Sequence, residues 1–345
     1  MQTSERGYRA PVTGRRELSE LAYGFMASKA LFAALEVGVF TYLAGGRRTE
    51  AELAAATKLA PHRFRTLLRA LVALGLVVEE DGCCRNAPAC ERYLVRGARH
   101  DFGEYFRLQV SRQIYPALVH LDAGLAGTGG AFDTLAGLLA DPDEARTFTV
   151  AQHAGSLAAA RVLVDRLDLD GVTRLLDVGG GSGAFSIAFC DRHPALRATV
   201  LDFPAVLDVA RGYRDAAGLA RRVELVAGDA VAIPWPGDQD VVLLSYLLSA
   251  LGDAEIDEVL GRAHAALRPG GLLVVHDFML ADDGPGPVPA ALWFLQYLAY
   301  RADTVSFSVA ELGGRLRRVG FATGDGDGLV PDITSVLTAR KEART

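Results

Sequence analysis

Little in this chain could cross-link it, hold a metal or carry it into a membrane. Its 345 residues include four cysteines, Cys83, Cys84, Cys90 and Cys190. An adjacent pair with one nearby thiol does not match a zinc spacing, so no metal site is expected. No apolar run reaches the length of a bilayer span, and the most apolar stretch, 241–251, is too short. Residues 1–16 are polar and rich in arginine, with no apolar stretch that would read as a secretory leader. Reduced thiols, a cytoplasmic location and no membrane contact follow as expectations. Positive charge is not in excess: 36 basic against 42 acidic residues leaves −6, which argues against a general nucleic-acid binder. Lysine is scarce, at Lys29, Lys58 and Lys341 only. Repeats and low-complexity tracts are absent.

The length suits two domains, and a 50% apolar, 23% charged composition suits folded cores. The stretch Leu175-Leu176-Asp177-Val178 reads as a short buried strand, followed by Gly179-Gly180-Gly181-Ser182-Gly183 and a helix from Ala184 to Cys190. Strand, glycine turn and helix N-terminus let backbone approach a nucleotide-like ligand. Gly179, Gly181 and Ala184 fit G-x-G-x-x-A, a spelling that dinucleotide enzymes share. A second strand, Ala198–Asp202, ends in an acid about 20 residues after the turn, where a carboxylate accepts hydrogen bonds from a ribose diol. A third, Val223–Asp229, also ends in an acid. Asp240–Leu244 makes a fourth, and Pro269-Gly270-Gly271 precedes a fifth at Leu272–Val275.

The ordered set LLDVGGGSG, LDFPAV, AGDA and ALRPGG resembles S-adenosylmethionine (SAM) dependent methyltransferases. It is most similar to the small-molecule O-methyltransferases with a winged-helix dimerisation domain, the group of caffeate and acetylserotonin O-methyltransferases and its bacterial natural-product branch. The resemblance implies an α/β fold: a Rossmann-like domain with a mostly parallel seven-stranded sheet, preceded by an α-helical winged-helix dimerisation domain. It implies SAM as cofactor, with Asp177, Gly179, Gly181 and Gly183 around its amino-acid end and Asp202 with Phe203 at the ribose. Gly228, Asp229 and Ala230 would meet the adenine. Ser245 and Tyr246 fall where the family has a basic residue and its neighbour, so the Ser245 contact departs from the pattern.

The N-terminal half reads as winged helix from its own residues. Apolar positions recur at helical spacing over 17–43; Thr49 and Glu52 form a capping box; Pro61 opens a helix carrying Phe64, Leu67, Leu68 and Leu71 on one face. Val77–Cys84 follows as two short strands about Asp81-Gly82. Arg47, Arg48, Lys58, Arg63, Arg65 and Arg69 make the region locally basic, so a ligand-sensing DNA-binding regulator is a competing reading. The apolar excess favours a second subunit, and the family resemblance implies a homodimer through this domain. The expected divisions are a tail at 1–16, the dimerisation domain at 17–100, a helical connector at 101–168 with breaks at Gly127–Gly130, and the SAM domain at 169–345.

The family pattern after the fourth strand is L-H-D-W-x-D, whose His is the general base. This chain reads Leu248-Ser249-Ala250-Leu251-Gly252-Asp253. Serine cannot accept a proton near neutrality as imidazole does. Three explanations stay open. The base lies elsewhere, with His153 first and Tyr115, His120 and His276 after it. Alternatively the acceptor arrives ionised, or carbon or nitrogen is methylated. Or methyl transfer is lost and the fold hosts a hydroxylase, cyclase or dehydratase with SAM bound. The acceptor pocket of the resembling family maps onto Phe106, Tyr115, Phe148, Gln152, Trp293, Tyr297 and Tyr300, with Arg301 as an anion clamp. The reading is an enzyme of secondary metabolism that methylates a small aromatic or polyketide-like molecule, with oxygen favoured.

Overall fold

The computed structural model describes residues 10–128 and 135–342. Gly129 and Gly130 of the expected break, and the first nine residues of the expected tail, lie outside the described residues. The chain forms two compact units, one from Pro11 to Pro116 and one from Ala117 onward. The stretch 101–168, read as one connector, is therefore divided between them.

In the N-terminal unit, helices Arg15–Ala22 and Gly24–Glu36 precede a short strand, β1 (Arg48–Thr49). Helix Glu50–Thr57 starts on the expected capping box: Thr49 N donates to Glu52 Oε2 at 2.7 Å and Glu52 N to Thr49 Oγ1 at 3.3 Å. Helix Pro61–Ala73 buries Phe64, Leu68 and Leu71. Strands β2 (Val77–Glu80) and β3 (Cys83–Asn86) pair antiparallel, and β1 joins them in the order β1-β3-β2. Asp81 and Gly82, at φ 52° and 72°, supply the two left-handed residues that a tight hairpin turn needs. Cys84 and Cys90 are buried among Phe40, Leu43, Leu53 and Leu71, and all four cysteines are free thiols. By contrast, Leu18, Leu21, Tyr23, Phe25 and Met26 on the first helices are more than half exposed.

The first part of the expected helical connector, 102–125, is not a regular helix. Phe106–Ile114 is a π-helix, flanked by single turns at Gly103–Tyr105 and Tyr115–Ala117. Pro116 cannot donate a backbone hydrogen bond, and the regular ladder is lost on both sides of it.

The second unit is a seven-stranded sheet: β4 (Arg174–Val178), β5 (Arg197–Asp202), β6 (Val223–Ala227), β7 (Gln239–Ser245), β8 (Leu267–Asp277), β9 (Phe321–Val330) and β10 (Thr334–Lys341). Their order is β6-β5-β4-β7-β8-β10-β9. The first five pair in parallel, and β10 runs antiparallel to both neighbours. Strand β7 is buried along its whole length, as a central parallel strand must be. Apolar clusters cover both faces, one around Val242, Leu244, Val259 and Phe294 and one around Leu163, Phe189, Val200 and Val241. Chain order reverses between β4 and β7, so their carboxyl ends flank the crevice where open α/β sheets take ligands. Strand β9 was not expected. Its Gly324, Gly326 and Gly328, interleaved with acids, carry no strand signature, and pairing with β10, with register shifts, is what extends it.

Candidate active site

The glycine turn sits at the carboxyl end of β4. Gly179, Gly181 and Gly183 adopt φ of 65°, 56° and 75°, the left-handed region where a side chain is strained. Gly180 is required for a different reason. A Cβ there would lie 2.8 Å from Asp177 Cγ and 2.9 Å from Val200 Cγ1. Gly183 caps the helix Ala184–Arg192, whose Ser186 Oγ donates to Asp177 Oδ2 at 2.8 Å. The other oxygen, Asp177 Oδ1, is buried without a hydrogen-bond partner. Desolvation, opposed by Ser186 and reinforced by the Asp202 charge, lifts Asp177 to about 6.

Asp202 ends β5 and braces the same turn. Its Oδ2 accepts from Gly181 N at 2.8 Å and its Oδ1 from Phe203 N at 2.7 Å. Burial outweighs these two donors and raises it to about 6. Gly228 N donates to the Asp202 carbonyl at 3.0 Å, and a Cβ on Gly228 would fall 2.4 Å from Ile233 Cδ1. Asp229 lies just past β6 rather than in it; its Oδ1 accepts from Val231 N at 2.9 Å. The Ala230 carbonyl accepts from Trp235 Nε1 at 2.8 Å.

Ser245 and Tyr246 face this turn from the tip of β7. Ser245 Oγ bonds His276 Nδ1 at 2.9 Å, and His276 Nε2 bonds Thr334 Oγ1 at 2.9 Å. Tyr246 takes φ 55°, and its N donates to the His276 carbonyl at 2.8 Å. Left-handed backbone at a bulky residue is strain that the surrounding sheet holds. Phe148, Thr149, Gln152, Ser156, Asp177, Gly179, Gly180, Gly181, Ser182, Phe185, Ser245 and Tyr246 line one cavity. An unpaired buried carboxylate oxygen, backbone bared by glycines and two further acids at strand tips suit a ligand with a cationic amino-acid end and a ribose. Sequence reasoning missed Gly180, Thr149, Ser182 and Ser156; a glycine at the middle of a GGG run was the one signal for the first.

The candidate bases are placed otherwise than expected. His276 is fully buried with both ring nitrogens engaged by hydroxyls, and burial depresses it to about 3. It is a neutral strut between β7, β8 and β10, with no nitrogen left to take a proton. His153 does not line the cavity, although its neighbour Gln152 does. Its Nδ1 bonds Ser182 Oγ at 2.8 Å, and its ring stacks on Tyr213 at 3.6 Å. Desolvation and the Arg161 charge depress it to about 4. His120 is exposed. Ser249, in the short turn Leu248–Ala250, is fully buried, and its N donates to Asp277 Oδ2 at 3.0 Å.

Of the expected acceptor residues, Phe148 and Gln152 line the cavity of the glycine turn. Trp293 and Tyr297 belong to helix Val288–Tyr297, with ring centroids 6.0 Å apart, and Tyr300 follows just beyond it, 6.3 Å from Tyr297. Arg301 is not a clamp for an anion. Its guanidinium meets Glu255 Oε2 at 2.7 Å and both oxygens of Asp303 at 2.6 and 2.7 Å, so its charge is already matched. Phe106 and Tyr115 belong to the N-terminal unit. There Phe106 packs edge-on to Phe102, and Tyr115 meets Phe32 at 6.0 Å. A more open groove along β5 and β6, bearing Arg197, Arg211, Arg214 and Arg221, contains none of these residues.

A mostly parallel sheet with its switch point at a glycine turn, and acids at the ends of β4 and β5 and just past β6, is the arrangement expected of a SAM-dependent methyltransferase. The O-methyltransferase domain family matches residues 126–321, and the O-methyltransferase dimerisation domain family matches residues 19–96. The chain belongs to this O-methyltransferase family. It is 32% identical, over 92% of its length and 94% of the relative's, to 3-hydroxy-5-methyl-1-naphthoate 3-O-methyltransferase of Streptomyces sahachiroi. It is 31% identical to the N,N-dimethyltransferase OxyT of Streptomyces rimosus, over 90% and 92% of the two chains. Among solved structures, human N-acetylserotonin methyltransferase in complex with SAM shares the fold, with TM-score 0.84 at 24% identity over 97% of this chain and 100% of that one. These relatives are methyltransferases, and neither a DNA-binding regulator nor an enzyme of another reaction finds support among them.

Proposed function

We propose that this enzyme transfers a methyl group from SAM to a hydroxyl oxygen of a small aromatic or polyketide-like metabolite. The observation that carries the reading is the cavity at β4 and β7, where Asp177 Oδ1 is buried and unpaired beside backbone that three left-handed glycines expose. SAM, when bound, supplies an electrophilic methyl on a sulfonium. Asp177 would receive its ammonium group, Asp202 its ribose hydroxyls and Asp229 with Ala230 its adenine edge. The protein's contribution is to hold nucleophile and methyl in line and keep water out. The naphthoate-acting relative supports an aromatic acceptor, and oxygen is the atom named for it. Nitrogen is the second reading, favoured by the absent histidine at Ser249 and by the OxyT likeness.

A homodimer is part of this proposal. The dimerisation-family match and the exposed apolar residues Leu18, Leu21, Phe25 and Met26 support it. We place the enzyme in the cytoplasm with no nucleic-acid partner; net charge −6 supports the latter, and no helix among the described residues is long and apolar enough to cross a membrane.

The test is product mass. Purified enzyme, SAM and a panel of hydroxynaphthoates, polyketide phenols and their amino-substituted counterparts should give phenolic products heavier by one methyl, with one demethylated cofactor released per turnover. SAM left unconsumed across the panel would overturn the proposal. Methylation of amines alone would transfer it to the nitrogen reading.

A further inference from the structure

The cavity at the glycine turn has to take an anion as well as a cation. SAM carries an α-carboxylate on the carbon that bears its ammonium group, and Asp177 suits only the ammonium. Yet none of the described residues that line the cavity is a lysine or an arginine. A carboxylate drawn out of water needs hydrogen-bond donors, so neutral groups must supply them. Several polar groups at the cavity are already committed. Thr149 Oγ1 donates to the Ala145 carbonyl at 2.7 Å, Ser245 Oγ is bonded to the buried His276, and Gly181 N donates to Asp202. Ser182, Ser156 and Gln152 remain. Ser182 is buried in the same turn as Gly180, which packs on Asp177, and a second side chain supports it. His153 Nδ1 and Ser182 Oγ bond at 2.8 Å. The imidazole is fixed in turn, for its ring stacks on Tyr213 with centroids 3.6 Å apart and planes 13° from parallel. His153 belongs to helix Pro142–Arg166 and Tyr213 to helix Pro204–Ala216, so two helices aim one nitrogen at the turn. Burial and the Arg161 charge keep the ring neutral, with one N–H and one lone pair.

We propose that His153 is a positioning residue for the cofactor: its Nδ1–H donates to Ser182 Oγ, which turns the serine proton into the cavity to hold the SAM carboxylate. This rests on the cofactor placement proposed above and deepens it, since it names the group that takes the carboxylate. The opposite tautomer would draw the Ser182 proton to Nδ1 and leave only lone pairs toward the anion. The carboxylate therefore selects the Nδ1–H form. The Tyr213 stack keeps the ring plane, and with it Nδ1, in line with the turn. Ser182 touches the cofactor, and His153 acts only through it. The pair gives His153 a task at the cofactor rather than at the acceptor's proton, and it lets a cavity without a basic side chain discriminate for the whole amino-acid end of SAM.

The test is calorimetry on the full-length enzyme with two ligands, SAM and decarboxylated SAM, which lacks only the α-carboxylate. Wild-type enzyme should bind SAM at least about tenfold more tightly than the decarboxylated analogue. Ser182→Ala should weaken SAM about 10- to 100-fold, the range for a hydrogen bond to a charged group, and change the analogue by less than about twofold. His153→Phe keeps an aromatic ring against Tyr213 but has no Nδ1. It should weaken SAM about tenfold, leave the analogue unchanged, and add nothing further in the Ser182→Ala background, because the two side chains act as one unit. Equal losses on both ligands, as a merely structural role would give, overturn the proposal. So do unchanged SAM affinity in either variant and additive losses in the double variant. If His153→Phe does not fold by circular dichroism, His153→Leu decides by the same comparison. Wild-type affinity equal for the two ligands overturns the carboxylate anchor alone. Wild-type enzyme that binds neither ligand overturns the cofactor placement itself, and the anchor with it.

Discussion

Asp177 and Asp202 stand at the carboxyl ends of adjacent strands without a basic partner among the described residues, and burial lifts both to about 6. An acid whose folded pKa is raised contributes stability below its unfolded value near 4, and that contribution is lost as pH rises through about 6. Bound SAM offsets this loss, since its cationic end favours the ionised carboxylates. Thermal shift should therefore show SAM raising Tm more at pH 7.5 than at pH 5, and SAM affinity should fall as pH drops below about 6. Asp202→Ala should weaken SAM binding roughly 100-fold by calorimetry, because hydrogen bonds to a charged group contribute about 1.5–3 kcal/mol and Gly181 N and Phe203 N lose their acceptor as well. Unchanged affinity would count against the site. Both acids could be read from their positions at strand ends. Asp277 could not: it follows a histidine in an apolar run, and only the fold brings it to Ser249.

At the scale of elements, the glycine turn joins β4 to its helix because three positions need left-handed backbone and a fourth needs empty space. Gly180→Ala pushes a Cβ into Asp177 and Val200, so about 1–3 kcal/mol of stability should be lost, seen as a lower urea midpoint with an unchanged slope. The helices that begin at Thr49 and Pro61 were legible from their first turns, where cap or proline chemistry is local. Two elements were not legible. Strand β9 is glycine and acid by composition and owes its extension to β10. The π-helix at Phe106–Ile114 has the apolar spacing of an ordinary helix, and period alone does not tell the two apart.

Over the whole molecule, the N-terminal helices present Leu18, Leu21, Phe25 and Met26 to solvent while Phe64, Leu68 and Leu71 are internal. The apolar excess in the sequence thus has two destinations, one core and one open face. Phe25→Asp combined with Met26→Asp should give a monomer by light scattering with the helical circular dichroism retained; a persistent dimer would locate the interface elsewhere.

The first five strands of the second unit, the glycine turn, the acids at strand ends and the loss of the family's histidine were legible in the residues themselves, because each depends on local period, backbone freedom or a single side chain's chemistry. What became of the candidate bases was decided by packing. His276 is held at both nitrogens by hydroxyls from Ser245 and Thr334, and Arg301 is matched by Glu255 and Asp303. Ser249 and Asp277 meet across a long separation in the chain, and so do His153 and Ser182. No spacing rule reports such a meeting, since it arises only when elements far apart in the chain close on one another.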